Sequence, residues 1–479
     1  MKKTHFITVI PGDGVGPEVI RSTQQIINAT GLNIHWEEAE AGAQVFRKGV
    51  PSGVPKETLD SIKKNKIVLK GPLETPVGYG EKSANVTLRK LFETFANVRP
   101  ITEFKGVNTP YSGRNLDLVI VRENVEDLYA GIEHMQTADV AQCLKLITRP
   151  GTERIIRYAF EYAKSRNRKK IHCATKANIM KFTEGLFKKI FEEVSLDYPD
   201  IEAHHIIVDN CAHQLVKKPE QFDVIVTTNM NGDILSDLTS ALVGGLGFAP
   251  GANVGGETSI FEAVHGSAPK YAGKNVINPT AAILSGVMML EHLGELEAAD
   301  KIMKAVKLTW QNPGTQTRDV IGDLKGITTS EFTQKVIENL NNVHAEKKTI
   351  SPINISKVLS SNSIKKPNIA KLVGVDVFIE YEGTPSDLGT SLENIGNNSA
   401  MKLKMISNRG TKVFPGPNNA NCVNHWRCRY ISQSGDHLGD RQIYDLLFKL
   451  SENGFKWVHI EKLQYFNESP GFSKAQGED

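Results

Sequence analysis

The stretch Asp223-Val-Ile-Val-Thr-Thr-Asn-Met-Asn-Gly232-Asp233-Ile-Leu-Ser-Asp237-Leu-Thr-Ser-Ala-Leu-Val-Gly244-Gly-Leu-Gly247 decides what this chain folds into. The β-branched run from Val224 to Thr227 reads as a buried strand, Asn231-Gly232 as a turn, and a helix is expected to begin near Asp233. Asp233 and Asp237 then share one helix face, while Ile234, Leu235, Leu238, Ala241 and Leu242 cover the other side. Two carboxylates one turn apart repel each other unless a cation sits between them, and hard oxygen ligands near a strand end favour Mg²⁺ or Mn²⁺. The spacing taken alone also fits an N-cap at Asp233 and a solvated Asp237, which is the commoner arrangement.

Working outward, the same strand-then-helix alternation recurs. Ile67-Val68-Leu69, Leu118-Val119-Ile120-Val121 and Ile206-Ile207-Val208 read as further buried strands, and Gly151 to Arg166 and Phe182 to Val194 carry helix spacing. That alternation argues for an α/β class. A first strand, Phe6 to Ile10, runs into Gly12-Asp13-Gly14-Val15-Gly16-Pro17. This resembles a dinucleotide fingerprint but puts Pro17 where the last glycine belongs, and an acidic ribose residue together with a second strand is not expected to follow. A Rossmann fold is therefore disfavoured.

A second informative segment is Lys70-Gly-Pro-Leu-Glu74-Thr75-Pro-Val-Gly78-Tyr-Gly80-Glu-Lys-Ser83-Ala-Asn85-Val-Thr-Leu-Arg89. A Gly- and Pro-rich loop leads into a helix with an expected apolar stripe of Leu88, Leu91, Phe92 and Phe95. Ser83 and Asn85 stand at its start, where free N–H groups attract anions. Arg89, one turn on, can grip a carboxylate through two bonds, although a Ser N-cap with an exposed arginine is the commoner arrangement. Arg99 and Arg122 end other apolar runs; three such arginines suit a polycarboxylate pocket if they converge. Tyr129 and Lys176 can shuttle protons where neighbours shift their pKa, and nothing local shows that shift. The loop Glu262-Ala-Val-His265-Gly266-Ser267-Ala268-Pro269-Lys270-Tyr271, with Asn278 after it, offers small residues for close approach, an imidazole for adenine and a cation for phosphate. It also fits a plain turn-rich loop before a helix at Ala281 to His292.

With 479 residues the chain exceeds one ordinary domain, and a net charge of +3 gives no reason to invoke nucleic acid or an anionic membrane. The N-terminus lacks the features of a signal peptide, and no apolar stretch approaches transmembrane length. Five cysteines without a CxxC pair fit a reducing compartment, so a cytoplasmic location is expected. A polar stretch near 345–367 reads as a connector, part of it a short helix. Beyond it, strands at 373–381, 401–407 and 457–465 and a helix at 438–453 suggest a small α+β module of ferredoxin-like order.

In their order along the chain, these segments resemble the isocitrate/isopropylmalate dehydrogenase family over residues 4–340. The strongest motif is Asn229 to Asp237 continuing through Gly244 to Gly247. Pro11-Gly-Asp-Gly14, Arg122-Glu-Asn124 with Tyr129, and His265-Gly266 to Lys270-Tyr271 reinforce it. The resemblance implies that family's α/β fold. The large domain would comprise 1–94 and 244–345, the small domain 95–126 and 150–243, and an intersubunit clasp 127–149. A linker at 346–367 and an α+β domain at 368–479 would follow. The last looks like the extra domain of certain long bacterial isocitrate dehydrogenases, an interaction or assembly element.

The implied activity is oxidative decarboxylation of isocitrate to 2-oxoglutarate and CO2 with NADP, a step of the tricarboxylic acid cycle. The implied assembly is a homodimer or larger, with active sites shared between subunits. Ser83, Asn85, Arg89, Arg99 and Arg122 would hold the tricarboxylate. Asp233 and Asp237 would bind Mg²⁺ or Mn²⁺, with Asp209 from the partner subunit. Tyr129 would protonate the enolate, and Lys176 from the partner would assist proton removal from the 2-hydroxyl. Thr75, His265, Gly266, Ser267, Ala268, Pro269, Lys270, Tyr271 and Asn278 would bind the cofactor.

Ser-x-Asn at 83 and 85 resembles the isocitrate branch, because isopropylmalate enzymes carry a more apolar patch there. Lys270-Tyr271 resembles the NADP type, since a cation attracts a 2′-phosphate that an acid would repel. Two positions depart from the bacterial pattern: Glu74 replaces a threonine beside the cofactor, and near Thr317-Arg318-Asp319 the usual Tyr and Arg do not both recur. Arg318 is the substitute cation. NAD-linked isocitrate, isopropylmalate, homoisocitrate and tartrate dehydrogenases are the sibling alternatives. A non-catalytic regulatory subunit is opposed by the retention of Tyr129, Lys176, Asp209, Asp233 and Asp237. A phosphate on Ser83 would repel the substrate carboxylate.

Overall fold

The computed structural model describes residues 3–74, 83–321, 326–346, 350–360, 369–397, 399–416 and 420–478. It separates into two units, Met1–Ala130 with Lys145–Asn362 and Gly131–Leu144 with Ser363–Asp479.

The first unit is built on a ten-stranded sheet. One wing is parallel and runs β2 (Ile34–Glu38), β1 (His5–Ile10), β3 (Ile67–Lys70), β12 (Ser259–Ala263). The other is parallel as well and runs β5 (Asp117–Glu123), β10 (Val224–Thr227), β8 (Lys170–Thr175), β9 (Glu202–Ile207). Between them, β11 (Pro250–Val254) and β4 (Ala96–Thr102) pair antiparallel with each other and with β12 and β5. An antiparallel centre is incompatible with a Rossmann sheet, as the failed glycine fingerprint led us to expect, although a second parallel strand, β2, does follow and ends in the acidic pair Glu37-Glu38, contrary to expectation.

Helices α1 (Gly16–Ala29), α2 (Ala43–Arg47), α3 (Lys56–Asn65) and α4 (Ala84–Leu91) alternate with the early strands. The middle of the chain supplies α5 (Arg149–Ser165), α6 (Thr183–Ser195), α7 (Val208–Lys217) and α8 (Asn229–Leu242). α9 (Thr280–His292), α10 (Leu296–Gln311), α11 (Arg318–Ile321) and α12 (Thr329–Leu340) follow. α9 is apolar on nearly every face because it lies between α1 and strands β11 and β12. Within the expected connector, α13 (Ile355–Leu359) docks on α5 through buried Val358 and a 2.9 Å ion pair from Lys357 to Glu161.

Several local expectations are corrected. α8 starts at Asn229 with Thr228 as the extended residue before it, so Asn231-Gly232 is helix, and Asp233 is not an N-cap. Gly232 is there for space: a Cβ would lie 2.6 Å from Cγ of Arg122. Ile234 and Ala241, expected on the buried face of α8, are exposed. α4 ends at Leu91, which is itself exposed, so Phe92 and Phe95 leave the expected stripe; Phe95 enters the main core separately. Ile206 and Ile207 belong to an edge strand and are only half-buried, and Val208 already opens α7. The glycine-rich turn after β1 serves packing within the chain. Gly14, with φ +58°, lets Val15 N–H donate to the Ser267 carbonyl at 2.9 Å, where a Cβ would clash at 1.9 Å.

The second unit contains the hairpin β6 (Glu133–Thr137) and β7 (Val140–Cys143) and a six-stranded antiparallel sheet. Its elements are β13 (Ala370–Glu380), α14 (Pro385–Asn397), β14 (Met401–Asn408), β15 (Thr411–Phe414), β16 (Trp426–Ser432), α15 (Asp440–Glu452), β17 (Lys456–Phe466) and β18 (Ser469–Pro470). With short edge strands β15 and β18 set aside, the chain runs βαββαβ and the sheet order is β14-β16-β13-β17, the ferredoxin-like arrangement. Among the described residues no helix is long and apolar enough to cross a membrane.

Candidate active site

The site forms where the two wings of the first unit's sheet meet. Arg99 lies on β4 and Arg122 near the end of β5, and the antiparallel register sets Asn97 beside Arg122. On the other side of Arg122 stands Thr227, the last residue of β10, so the chain rises straight into α8 over the guanidinium groups. Arg122 pairs with Oδ1 of Asp233 and donates from Nε to Oδ1 of Asn229 at 3.0 Å. From Arg99, Nη1 donates to Ser236 Oγ at 2.5 Å and reaches Asp233 Oδ1 at 3.3 Å and Asp237 Oδ1 at 3.9 Å. Both guanidinium groups are buried. Burial, then repulsion from Arg99 and Arg89, pulls Arg122 down to about 9, which leaves it charged at neutral pH.

Asp233 is where these groups meet. Burial alone would raise its carboxyl, but Arg122, Arg99 and the Tyr129 hydroxyl together hold it below the usual carboxylate range. Tyr129 donates to its Oδ2 at 2.6 Å and lies under Arg122, whose Cζ is 4.9 Å from the ring centre. Burial and the bond to Asp233 both raise the phenol, keeping it protonated. Asp237 points outward and is mostly exposed. Its carboxyl is raised by partial burial and by Asp233, against Arg99.

Arg89 of α4 meets Glu262 of β12 at 3.2 Å, and Glu262 is also paired with buried Lys70 and accepts from Asn253 at 2.7 Å. Ser83 precedes α4 as expected. Asn85 donates weakly to the Leu73 carbonyl at 3.5 Å, and its Oδ1 is buried without a partner among the described residues. Thr75 lies outside the described residues.

The loop from His265 to Tyr271 borders a cavity of about 340 Å³, lined also by Val15, Ile277, Asn278, Arg318 and Asp319. His265 Nδ1 is 3.0 Å from the Gly266 carbonyl and must donate to it, since a carbonyl only accepts. The other nitrogen, Nε2, is then a buried acceptor with no partner among the described residues. Burial also lowers the imidazole, so it is neutral. Ser267 is held by Val15, Ala268 takes φ +40°, and Pro269 opens a single 3₁₀ turn in which Lys270 lies 4.8 Å over the ring of Tyr271. Asn278 donates to Asp319 at 3.1 Å and accepts from the backbone N–H of Thr280, the first residue of α9. Apolar walls, a free acceptor and the Arg318 cation fit an adenine nucleotide, while Lys270 is the chain neighbour of the lining residue Tyr271.

Residues 6–336 match the family described as isocitrate/isopropylmalate dehydrogenase, and residues 370–478 the bacterial isocitrate dehydrogenase C-terminal domain. The chain belongs to the isocitrate/isopropylmalate dehydrogenase family. It is 57% identical to the isocitrate dehydrogenase [NADP] of Thermus thermophilus over 477 residues, 99% of this chain and 96% of that protein. The isocitrate dehydrogenase [NADP] of Rickettsia bellii is 39% identical over 482 residues, 98% of this chain and 99% of that protein. A crystal structure of the TT0538 protein from Thermus thermophilus superposes with a TM-score of 0.95 at 57% identity, covering 99% of this chain and 96% of that one.

In this isocitrate/isopropylmalate dehydrogenase chain, Lys176 and Asp209 pair with each other at 2.7 Å, at the end of β8 and the start of α7. Neither is bonded to Asp233 or Asp237 within the chain, and no three His, Cys, Asp or Glu groups among the described residues gather into a metal-holding set. The donor chemistry of Asp233 and Asp237 nevertheless fits a hard divalent ion, and the exposed Asp237 leaves its oxygens open to one. Sequence reasoning passes over Lys70, Asn97, Asn229, Ser236, Asn253 and Glu262 as site-forming residues. Lys70 and Glu262 carry a signal, since each is the one charge in a short, mostly apolar strand.

Proposed function

We propose that this chain is an NADP-dependent isocitrate dehydrogenase that converts isocitrate to 2-oxoglutarate and CO2 with the help of Mg²⁺ or Mn²⁺. The observation that carries this reading is the convergence of Arg89, Arg99 and Arg122 beside the Asp233–Asp237 pair. Asp233 already demonstrates that a carboxylate sits well against Arg122 and Arg99. Substrate carboxylates would take these guanidinium groups, with Ser83 and Asn85 at the head of α4 completing the grip. Asp233 and Asp237 would hold the divalent ion, which would supply Lewis-acid stabilisation of developing negative charge, and the His265 cavity would hold NADP, which would supply the hydride acceptor.

The protein's own groups manage the protons. Tyr129, kept protonated by burial and by Asp233, would give its proton to the enolate carbon after CO2 leaves. Lys176 and Asp209 of a second copy would reach the same substrate, Lys176 drawing the proton from the 2-hydroxyl and Asp209 joining the metal. Exposed Ile234 and Ala241 on α8 and Val216 on α7 are apolar positions that support a homodimer reading. A cytoplasmic site of action accords with this chemistry.

Steady-state kinetics with isocitrate and Mn²⁺, run with NADP and NAD side by side, tests the proposal. Turnover should favour NADP and stop on exhaustive chelation. Faster turnover of isopropylmalate, homoisocitrate or tartrate would overturn the substrate assignment, and a need for a second kind of polypeptide would favour a regulatory subunit.

A further inference from the structure

We propose that Lys145 is a positioning residue that holds Tyr129, Asp233 and Lys176 in one frame, an inference that rests on the roles given above. Its ammonium lies between two buried carboxylates, paired with Asp127 and 2.8 Å from Glu184 Oε1. Asp127 and Glu184 are fully buried and Lys145 nearly so.

Each carboxylate is tied to a different part of the machinery. Asp127 stands two residues before Tyr129 with φ +64°, a backbone conformation its side-chain contacts must sustain. Its Oδ2 accepts from Met230 N at 2.8 Å, in the first turn of α8 and three residues before Asp233. Glu184 accepts from the backbone N of Lys176 at 2.8 Å through Oε2. Its Oε1 meets Thr228 Oγ1 at 3.3 Å and Asn231 Nδ2 at 3.2 Å, both at the start of α8. The network therefore fixes the Tyr129 loop, the head of the Asp233 helix and the Lys176 strand end together.

The charges explain why the central group must be a cation. Two carboxylates face one ammonium, and the remaining negative charge sits at the N-terminus of the 14-residue α8, where free N–H groups and the helix dipole favour it. Without the ammonium, two buried carboxylates oppose each other uncompensated. The nearest relief is for Asp127 to swing away, which carries Tyr129 with it. Because Lys176 would serve the partner's site while Tyr129 serves its own, one ammonium bears on both sites of a dimer.

The test uses Lys145→Met, Lys145→Arg and Asp127→Asn in the full-length enzyme. Readouts are Tm, kcat, KM for isocitrate, and exchange of the C3 hydrogens of 2-oxoglutarate with D2O in the presence of NADPH, followed by NMR. Lys145→Met should lower kcat and the exchange rate about 10- to 100-fold with KM changed less than about threefold, because misplacing a proton donor by about 1 Å costs that much. Lys145→Arg should recover most of both rates. If Lys145→Met does not fold, Asp127→Asn must show the same kcat and exchange loss, and normal rates there overturn the proposal. A lower Tm with unchanged kcat and exchange makes Lys145 merely structural and also overturns it. Absence of exchange in the wild type would instead remove the role of Tyr129 on which the frame depends.

Discussion

The Tyr129 hydroxyl donates to Oδ2 of Asp233 at 2.6 Å, while Oδ1 of the same carboxylate faces Arg122 and Arg99. One side chain thus links the proposed proton donor, the carboxylate-binding guanidinium groups and the proposed metal site. Tyr129→Phe should leave KM for isocitrate near wild type and lower kcat about 10²- to 10⁴-fold, the range for losing a general acid. Steady-state kinetics checks this; a large rise in KM with kcat intact would assign Tyr129 to binding instead.

Asp237, the second proposed metal ligand, is not spent on the arginine cluster, since Arg99, its nearest cation among the described residues, is 3.9 Å away. Asp237→Asn should therefore raise the Mn²⁺ concentration for half-maximal activity about tenfold or more, because affinity for hard cations follows ligand charge. Thermal stability should hardly change at this exposed position. Titrating activity with Mn²⁺ after chelation measures the effect, and an unaltered titration would remove Asp237 from the site.

Lys270 holds its ammonium over the ring of Tyr271, which lines the His265 cavity. Lys270→Ala should lower kcat/KM for NADP by about 10- to 100-fold, the loss of one charge-assisted bond to a 2′-phosphate. The value for NAD, which lacks that phosphate, should stay within about threefold. Parallel loss with both cofactors would show that Lys270 supports the loop and does not read the phosphate.

What could be read from the sequence, and what could not, follows from range. The four-residue spacing that puts Asp233 and Asp237 together is local, and so is the N-terminal position of Ser83 on α4. The convergence of Arg99 and Arg122 depends on the β4–β5 register, which no spacing within either segment reveals. Asn231-Gly232 reads as a turn because its glycine is judged locally, yet Gly232 answers to Arg122, 110 residues earlier. In the C-terminal sheet, β16 alternates Arg427 and Arg429 with apolar residues, and those charges hide the strand from a local reading. Arg429 is nevertheless buried, bonded to Asp376 and Glu478 from other elements.

Glu123 follows Arg122 and turns the chain toward Tyr129 by accepting from Val125 and Glu126 N–H groups. Burial pushes its carboxyl up from 4.5 to about 7 despite those bonds. The folded protein therefore keeps a proton that the unfolded chain releases between these two pH values. Its contribution to stability is full below the unfolded value and is lost as pH rises through the folded one, by on the order of 3 kcal/mol. Glu123→Gln carries no titrating proton, so its Tm should fall less than the wild type's between about pH 5 and pH 8, by a few degrees. Equal falls in both proteins, scanned at the same protein concentration, would mean that Glu123 is already ionised when folded.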